Sequence, residues 1–224
     1  MLNSYRAVLF DLDGTLVDHS NAARAGVVAW SQELGIPPDP ARWQALEQQW
    51  FLAYEHGKLT HSGQRAARVR EYLHEPKLSE TAALQLFDGF LHQYIASMQP
   101  FSGAAEVLEQ CFDCGQLVGI ATNGAASLQT TKLRTTGLWD DRLIMLAAVE
   151  MEAAKPNPEF YTRGLDIVGT APADTIMVGD TLPNDVLAPI AAGIAAIHVD
   201  HTGTGTTDPR YPTIRDLSEL LNAP

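Results

Sequence analysis

Between residues 104 and 199 the chain alternates regularly between stretches of helical periodicity and short apolar runs. "LVGIA" (117–121), "RLIMLAAV" (142–149), "TIMVG" (175–179) and "IAAIHV" (194–199) are rich in Val, Ile, Leu, Met and Ala. The spacing predicts a helix before each, over 104–114, 126–136, 158–168 and 184–192. Continuous apolar runs suit strands covered on both faces of a sheet. Strands joined by helices of this length run parallel, with right-handed crossovers. One more apolar run, "AVLF" (7–10), joins the same sheet from near the N-terminus. The expected fold class is α/β, a doubly wound parallel sheet.

Between that first strand and the rest lies a long helical insertion, about 18–98. Val27, Trp30, Ser31 and Leu34 recur at helical spacing, and Gly35 stops that helix. Asp39 and Pro40 read as an N-cap and first helical residue, followed by the stripe Trp43, Leu46, Trp50 and Tyr54. Ala66, Val69 and Leu73 stripe a third helix. Ser79 caps a fourth, with the stripe Leu84, Phe87, Leu91, Ile95 and Met98. Amphipathic helices in succession with no strand among them make a small bundle that buries its own stripes. "MQPFSGAAEV", with Pro100 and Gly103, leads back to the sheet. The expected domains are thus an α/β core of 1–17 and 99–224, and a helical cap of 18–98.

The formal net charge is −12, which argues against nucleic-acid backbone or an anionic membrane as partner. An anionic substrate must then be held by local donors or by a metal. No apolar run reaches the ~20 residues of a membrane span. Met1 to Arg6 are polar and lead straight into the first strand, so no signal peptide is expected. Cys111 and Cys114 read as two residues on one helix face, too few for a disulfide framework. A cytoplasmic location is expected. Oligomeric state, monomer or homodimer, is not legible.

Ligands of doubly wound sheets sit beyond the carboxyl ends of the strands. The strand exits carry Asp11 and Asp13; Thr122, Asn123 and Gly124; Lys155 before Pro156; and Asp180, Asn184 and Asp185. Clustered carboxylates repel, and burial worsens the repulsion. A divalent cation turns that cost into coordination, and a set of oxygen ligands suits Mg²⁺. Lys155 is a cation able to neutralise remaining charge, Thr122 offers a hydroxyl, and the amides of Asn123 and Gly124 offer donors to a phosphate oxygen. An aspartate is also a possible nucleophile, and a second carboxyl two residues on a possible acid and base.

"DLDGT", "ATNG", "KP" and "GDTLPND" together resemble the motifs of the haloacid dehalogenase (HAD) superfamily, in its phosphatase branch with a helical cap after the first strand. The resemblance covers about residues 5–221 and implies a Rossmann-like core. It implies Asp11 as nucleophile and Asp13 as general acid and base, its carbonyl also a metal ligand. Thr122 and Asn123 would hold the phosphoryl group, and Lys155 would balance charge. Asp180 would ligate Mg²⁺, with Asp185 doing so directly or one shell out. The expected activity is Mg²⁺-dependent hydrolysis of a small phosphorylated metabolite, of sugar phosphate, phosphoglycolate or nucleoside monophosphate type, through an aspartyl-phosphate. A phosphomutase is the alternative; a dehalogenase, whose family pattern lacks the second aspartate, and a non-catalytic binding protein fit less well. Two departures stand out. Glu152 occupies a position where the family usually has glycine, and Pro189 falls where a helix normally continues.

Around these motifs, several residues have ordinary readings too. His61, Arg65 and Arg68 share a helix face and, like His19 at the cap entrance, could contact substrate; a solvated or salt-bridged face is the plainer reading. The aromatic stripe reads as core. "DHTGTGTTDP" (200–209) lacks the arrangement of a dinucleotide loop and reads as surface.

Overall fold

The computed structural model describes residues 1–203 and 208–221. The chain divides into two units, one of residues 1–18 and 99–224, the other of residues 19–98.

In the first unit, the strands β1 (Ala7–Phe10), β2 (Leu117–Thr122), β3 (Ile144–Ala147), β4 (Thr175–Gly179), β5 (Ala195–Val199) and β6 (Thr213–Ile214) form one sheet of order β3-β2-β1-β4-β5-β6. Every pair is parallel. β1 is central, and all four of its residues are buried. From β1 the chain adds β2 and β3 on one side and then crosses back to add β4, β5 and β6 on the other, so the strand order reverses there, where such sheets bind ligands. Phe10 is in register with Ile120 of β2 and Val178 of β4. The residues that follow therefore leave the sheet at one level, and the Asp11 amide donates to the Val178 carbonyl at 2.9 Å. Leu9, Leu146, Phe160, Tyr161 and Met177 pack together in one core cluster beside the sheet.

The helices of this unit are Ala104–Asp113, Ala126–Thr135, Ala148–Met151, Pro158–Val168 and Ala188–Ala191. Two expected elements are shorter than their apolar patterns. The run 142–149 is a strand only at Ile144–Ala147, because β2 ends at Thr122 opposite Ala147 and offers no partner beyond. The chain turns there into the short helix Ala148–Met151, and Glu152 closes it at φ +51°. The left-handed conformation is one that glycine adopts freely, which accounts for the glycine usual at this position. Glu152 is exposed.

The expected helix over 184–192 is instead a wide π-type turn, Leu182–Leu187, followed by one α turn, Ala188–Ala191. Pro189 has no N–H to return to the Asp185 carbonyl. The Ala188 amide instead reaches back five residues, to Pro183. The Tyr161 hydroxyl donates to the Asn184 carbonyl inside the same turn. Of the 200–209 stretch, Asp200–Gly203 form a turn closed by the Asp200 carboxylate, while 204–207 lie outside the described residues. Cys111 is buried on its helix and Cys114 is the exposed residue ending it; both are free thiols. Among the described residues no helix is long and apolar enough to cross a membrane.

The second unit is four helices: α1 (His19–Glu33), α2 (Pro40–Glu55), α3 (His61–Tyr72) and α4 (Glu80–Ala96). Asp39, Thr60 and Ser79 cap the last three, each accepting from an amide three residues on, at 3.0, 2.9 and 3.1 Å. The interior is aromatic: Trp30, Trp43, Tyr72, Phe87 and Phe90 lie in ring contact, with centroids 4.6 Å apart for Trp43 and Phe90. The buried face of α4 is Ala83, Phe87, Phe90 and Tyr94, not the Leu84, Leu91 and Ile95 expected from hydropathy. The larger rings fill the bundle and the aliphatic residues sit at its edge. Leu34 is exposed, and Leu73 caps α3 rather than striping it.

Candidate active site

Asp11 follows β1 directly and is 7% exposed. Lys155, 2% exposed, reaches it from the loop after the short helix that follows β3. The Lys155 ammonium donates to Asp11 Oδ1 at 2.8 Å, Asp185 Oδ1 at 2.6 Å and the Ala121 carbonyl at 2.7 Å. Its three N–H groups are all used. Asn123 braces the lysine backbone on both sides: its Oδ1 accepts from the Lys155 amide at 2.7 Å and its Nδ2 donates to the Lys155 carbonyl at 2.9 Å. The side chain that the motif resemblance assigned to the phosphoryl group is thus occupied with holding the lysine in place. The Lys155–Pro156 peptide is cis.

Asp180 and Asp185 complete the rim after β4. Asp185 lies in the π-type turn, 1% exposed, and its Oδ2 accepts from the Thr181 amide at 3.0 Å. The Thr15 hydroxyl lies 3.2 Å from Asp11 Oδ2 and 3.3 Å from Asp180 Oδ1, tying the first loop to the fourth. Gly14 makes that approach possible. It sits at φ +98°, and a Cβ there would stand 2.5 Å from Asp180 Oδ2.

Charge is concentrated here. Burial pushes the Asp11 carboxyl up to about 7, against the pull of Lys155 and with the push of Asp185. Burial, then the charge of Asp11, raises Asp180 to about 6. Asp185 is raised by burial against the same lysine. Burial alone would lower Lys155, but Asp11 and Asp185 outweigh it and hold the ammonium above the ordinary lysine range. One oxygen from each of Asp11, Asp180 and Asp185 lies within 4.8 Å of the others. Three carboxylates facing one ammonium carry surplus negative charge on hard oxygen donors, a set that fits Mg²⁺.

Asp13 is placed differently. Its carboxylate is outside that cluster and turned to the helix Ala126–Thr135. Lys132 Nζ lies 2.6 and 2.5 Å from its two oxygens, and Gln129 Nε2 donates to Oδ2 at 3.0 Å. The sequence reading missed both partners. The available signal was their spacing: Gln129 and Lys132 lie one turn apart on the helix that starts just after "ATNG". Thr122 and Gly124 stand at the exit of β2, where the Gly124 amide donates to Thr122 Oγ1 at 3.1 Å.

His19, Arg65 and Arg68 belong to the helical unit. His19 contacts the Tyr94 hydroxyl at 2.7 Å and Glu47 at 3.2 Å. Arg68, 3% exposed, lies over the Trp43, Phe87 and Phe90 rings with Nη2 2.9 Å from Glu47 Oε1. Arg65 lies over Phe87. His61 is half-buried against the Tyr54 ring.

The haloacid dehalogenase-like hydrolase family model matches residues 5–193. The chain is 28% identical over 205 residues to the ribulose-1,5-bisphosphate 5-phosphatase of Halopiger xanaduensis, covering 87% of this chain and 84% of that protein. It is 28% identical to the pyrimidine 5'-nucleotidase PynA of Streptococcus pneumoniae, covering 97% and 95%. Among solved structures, the magnesium-bound HAD-hydrolase YfnB of Bacillus subtilis superposes with a TM-score of 0.84 at 22% identity, over 96% of each chain. The chain belongs to the haloacid dehalogenase-like hydrolases, as a phosphoric monoester hydrolase of that family.

Proposed function

We propose that this phosphatase is Mg²⁺-dependent, takes a small phosphorylated metabolite and works through a phosphorylated Asp11. The observation that carries the reading is the buried Asp11–Lys155–Asp185 contact at the switch point of the sheet, with Asp180 beside it. Asp11 attacks phosphorus in line, and the ester bond to the alcohol oxygen breaks. Asp13 gives that oxygen a proton. Asp13 then takes a proton from water as the water attacks the acyl phosphate, releasing inorganic phosphate and restoring Asp11. Lys155 fixes Asp11 in place and offsets its charge, so that a dianionic group can approach. The Thr122 hydroxyl and the Asn123 backbone amide take the phosphoryl oxygens, while the Gly124 amide, expected to join them, is engaged by Thr122 Oγ1. Asp11, Asp180 and the Asp13 carbonyl would hold the metal; Asp185, with both oxygens already engaged by Lys155 and Thr181, would steer from one shell out. Bound there, Mg²⁺ supplies positive charge against the transferring phosphoryl group.

His19, Arg65 and Arg68 remain the candidates for recognising the rest of the substrate. Arg65 is the stronger of the two arginines, because Arg68 is buried and already paired with Glu47. Truncating Arg65 should raise KM for the natural substrate more than for a minimal aryl phosphate. The relatives named above act on a sugar bisphosphate and a pyrimidine nucleotide, which supports a metabolite-sized substrate. Free thiols at Cys111 and Cys114 favour a reducing compartment, the cytoplasm. The test is phosphate release from an aryl phosphate and a panel of phosphometabolites, with Mg²⁺ and with EDTA, and Asp11→Asn as control. Release that needs Mg²⁺ and vanishes in the variant is expected. Transfer to a second sugar hydroxyl instead of water would replace the reading with a phosphomutase. Full release in EDTA would overturn the metal requirement.

A further inference from the structure

The helix Ala126–Thr135 presents two buried polar side chains to the rim, Gln129 (1% exposed) and Lys132 (3% exposed). An amide has two N–H groups, and Gln129 uses Nε2 toward two acceptors, Asp13 Oδ2 and Thr122 Oγ1. Exchanging its nitrogen and oxygen would set oxygen against carboxylate, so the orientation is determined. Its Oε1 is buried with no hydrogen-bond partner among the described residues. A side chain kept only for packing would not leave a buried acceptor unmet; here the donors are what the position requires.

Thr122 Oγ1 accepts from both Gln129 and the Gly124 amide. With its lone pairs engaged, the hydroxyl is left to donate. Gly124 is part of the same arrangement, since a Cβ there would come 2.5 Å from Gln129 Nε2. Lys132 meanwhile spans both Asp13 oxygens, which fixes the carboxylate's direction. One helix face thus sets two groups at once, the Asp13 carboxylate and the Thr122 hydroxyl.

We propose that Gln129 and Lys132 are positioning residues for phosphoryl transfer, a clamp that aims the Asp13 carboxylate and turns the Thr122 hydroxyl into a donor for the phosphoryl group. This rests on the phosphatase reading above. The clamp acts on the chemical steps rather than on capture of the substrate, so its loss lowers kcat and leaves KM nearly unchanged. An aryl phosphate with an acidic phenol needs no proton on its leaving group, so Asp13 matters there chiefly in the hydrolysis of phospho-Asp11. An alkyl phosphate needs Asp13 in both halves.

The experiment compares Lys132→Met, Lys132→Arg, Gln129→Met and Gln129→Glu on nitrophenyl phosphate and on an alkyl phosphate. Lys132→Met should lose about 100-fold in kcat on the alkyl ester, the scale of an acid–base contribution, with KM within about threefold. It should accumulate phosphoenzyme on the aryl ester. Lys132→Arg should recover most of the loss. Gln129→Glu, the closer isostere, should be worse than Gln129→Met, because it sets a second carboxylate against Asp13. A crystal structure of Lys132→Met should show the Asp13 carboxylate turned away. If Lys132→Met fails to fold, Lys132→Arg and the Gln129 pair carry the same comparison. Wild-type kcat in Lys132→Met, or Gln129→Met below Gln129→Glu, overturns the clamp. So does an Asp13 carboxylate unmoved in the Lys132→Met crystal, a readout that stands even if the wild-type enzyme releases no phosphate and the phosphatase reading itself fails.

Discussion

Each unit buries a cation, and the two do so in opposite ways. Lys155 in the α/β unit directs all three N–H groups at oxygen, two of them carboxylate. Arg68 in the helical unit has one carboxylate beside it, at Nη2, and aromatic rings on its faces, and its Nε makes no hydrogen bond among the described residues. Burial lowers the pKa of Arg68, while Asp11 and Asp185 overcome the same effect at Lys155. A lysine so fully met, among carboxylates whose combined charge exceeds its own, marks a place where charge is arranged for use. A guanidinium stacked on indole and phenyl rings is largely packing.

Removing each cation tests that contrast most severely. Lys155→Met leaves Asp11 and Asp185 buried without their partner, which costs about 3–5 kcal/mol. A drop in Tm of roughly 10 °C is expected. Adding Asp11→Asn should recover part of it, because one of the stranded charges goes. No recovery in the double variant would mean that the two groups are not coupled. Arg68→Met should cost less, about 1–2 kcal/mol, because Glu47 keeps His19 within 3.2 Å and the methionine still packs on the rings. Arg68→Lys should not do better than Met, since the planar stack is lost. A larger loss from Arg68→Met than from Lys155→Met would invert the comparison.

Proton linkage separates the two units further. Asp11 and Asp180 hold their protons to about 7 and about 6 in the folded chain and only to 3.8 as free side chains. Between those values the unfolded chain binds fewer protons, so stability of the metal-free protein falls as pH rises from about 4 to 7. Mg²⁺ favours the ionised carboxylates, and the rise in Tm that it produces should therefore grow from pH 5 to pH 8. A Mg²⁺-induced shift that is flat with pH would remove the carboxylates from the metal site. The smallest effect is expected at Glu152. Glu152→Gly relieves a left-handed backbone and should add about 1 kcal/mol to stability, with kcat unchanged. A loss of activity there would show that the exposed carboxylate takes part in the reaction.

The sheet was legible because its strands are apolar on every residue and its helices lie between them. The residues at the strand exits were legible for a related reason: each sits within a few positions of a strand end, so a local pattern locates it. Lys132 and Gln129 were hidden because their partner, Asp13, is 119 and 116 residues away, and their one-turn spacing after "ATNG" names a shared helix face but no partner for it. The α4 face was misread because hydropathy ranks Leu and Ile beside Phe and above Tyr, whereas filling the bundle favoured the rings. The turn over Leu182–Leu187 was half legible: Pro189 forecasts a break, but not that the backbone absorbs it by widening one turn around Asp185.

The proposed mechanism puts the phosphoryl group on Asp11. Wild type and Asp13→Asn are mixed with Mg²⁺ and nitrophenyl phosphate, quenched within milliseconds and weighed intact, with the modified peptide then sequenced. One added phosphoryl group is expected, on Asp11, transient in wild type and persistent in Asp13→Asn. Phosphate released at full rate with no phosphorylated Asp11 in either protein would contradict it, and water would then attack the substrate directly.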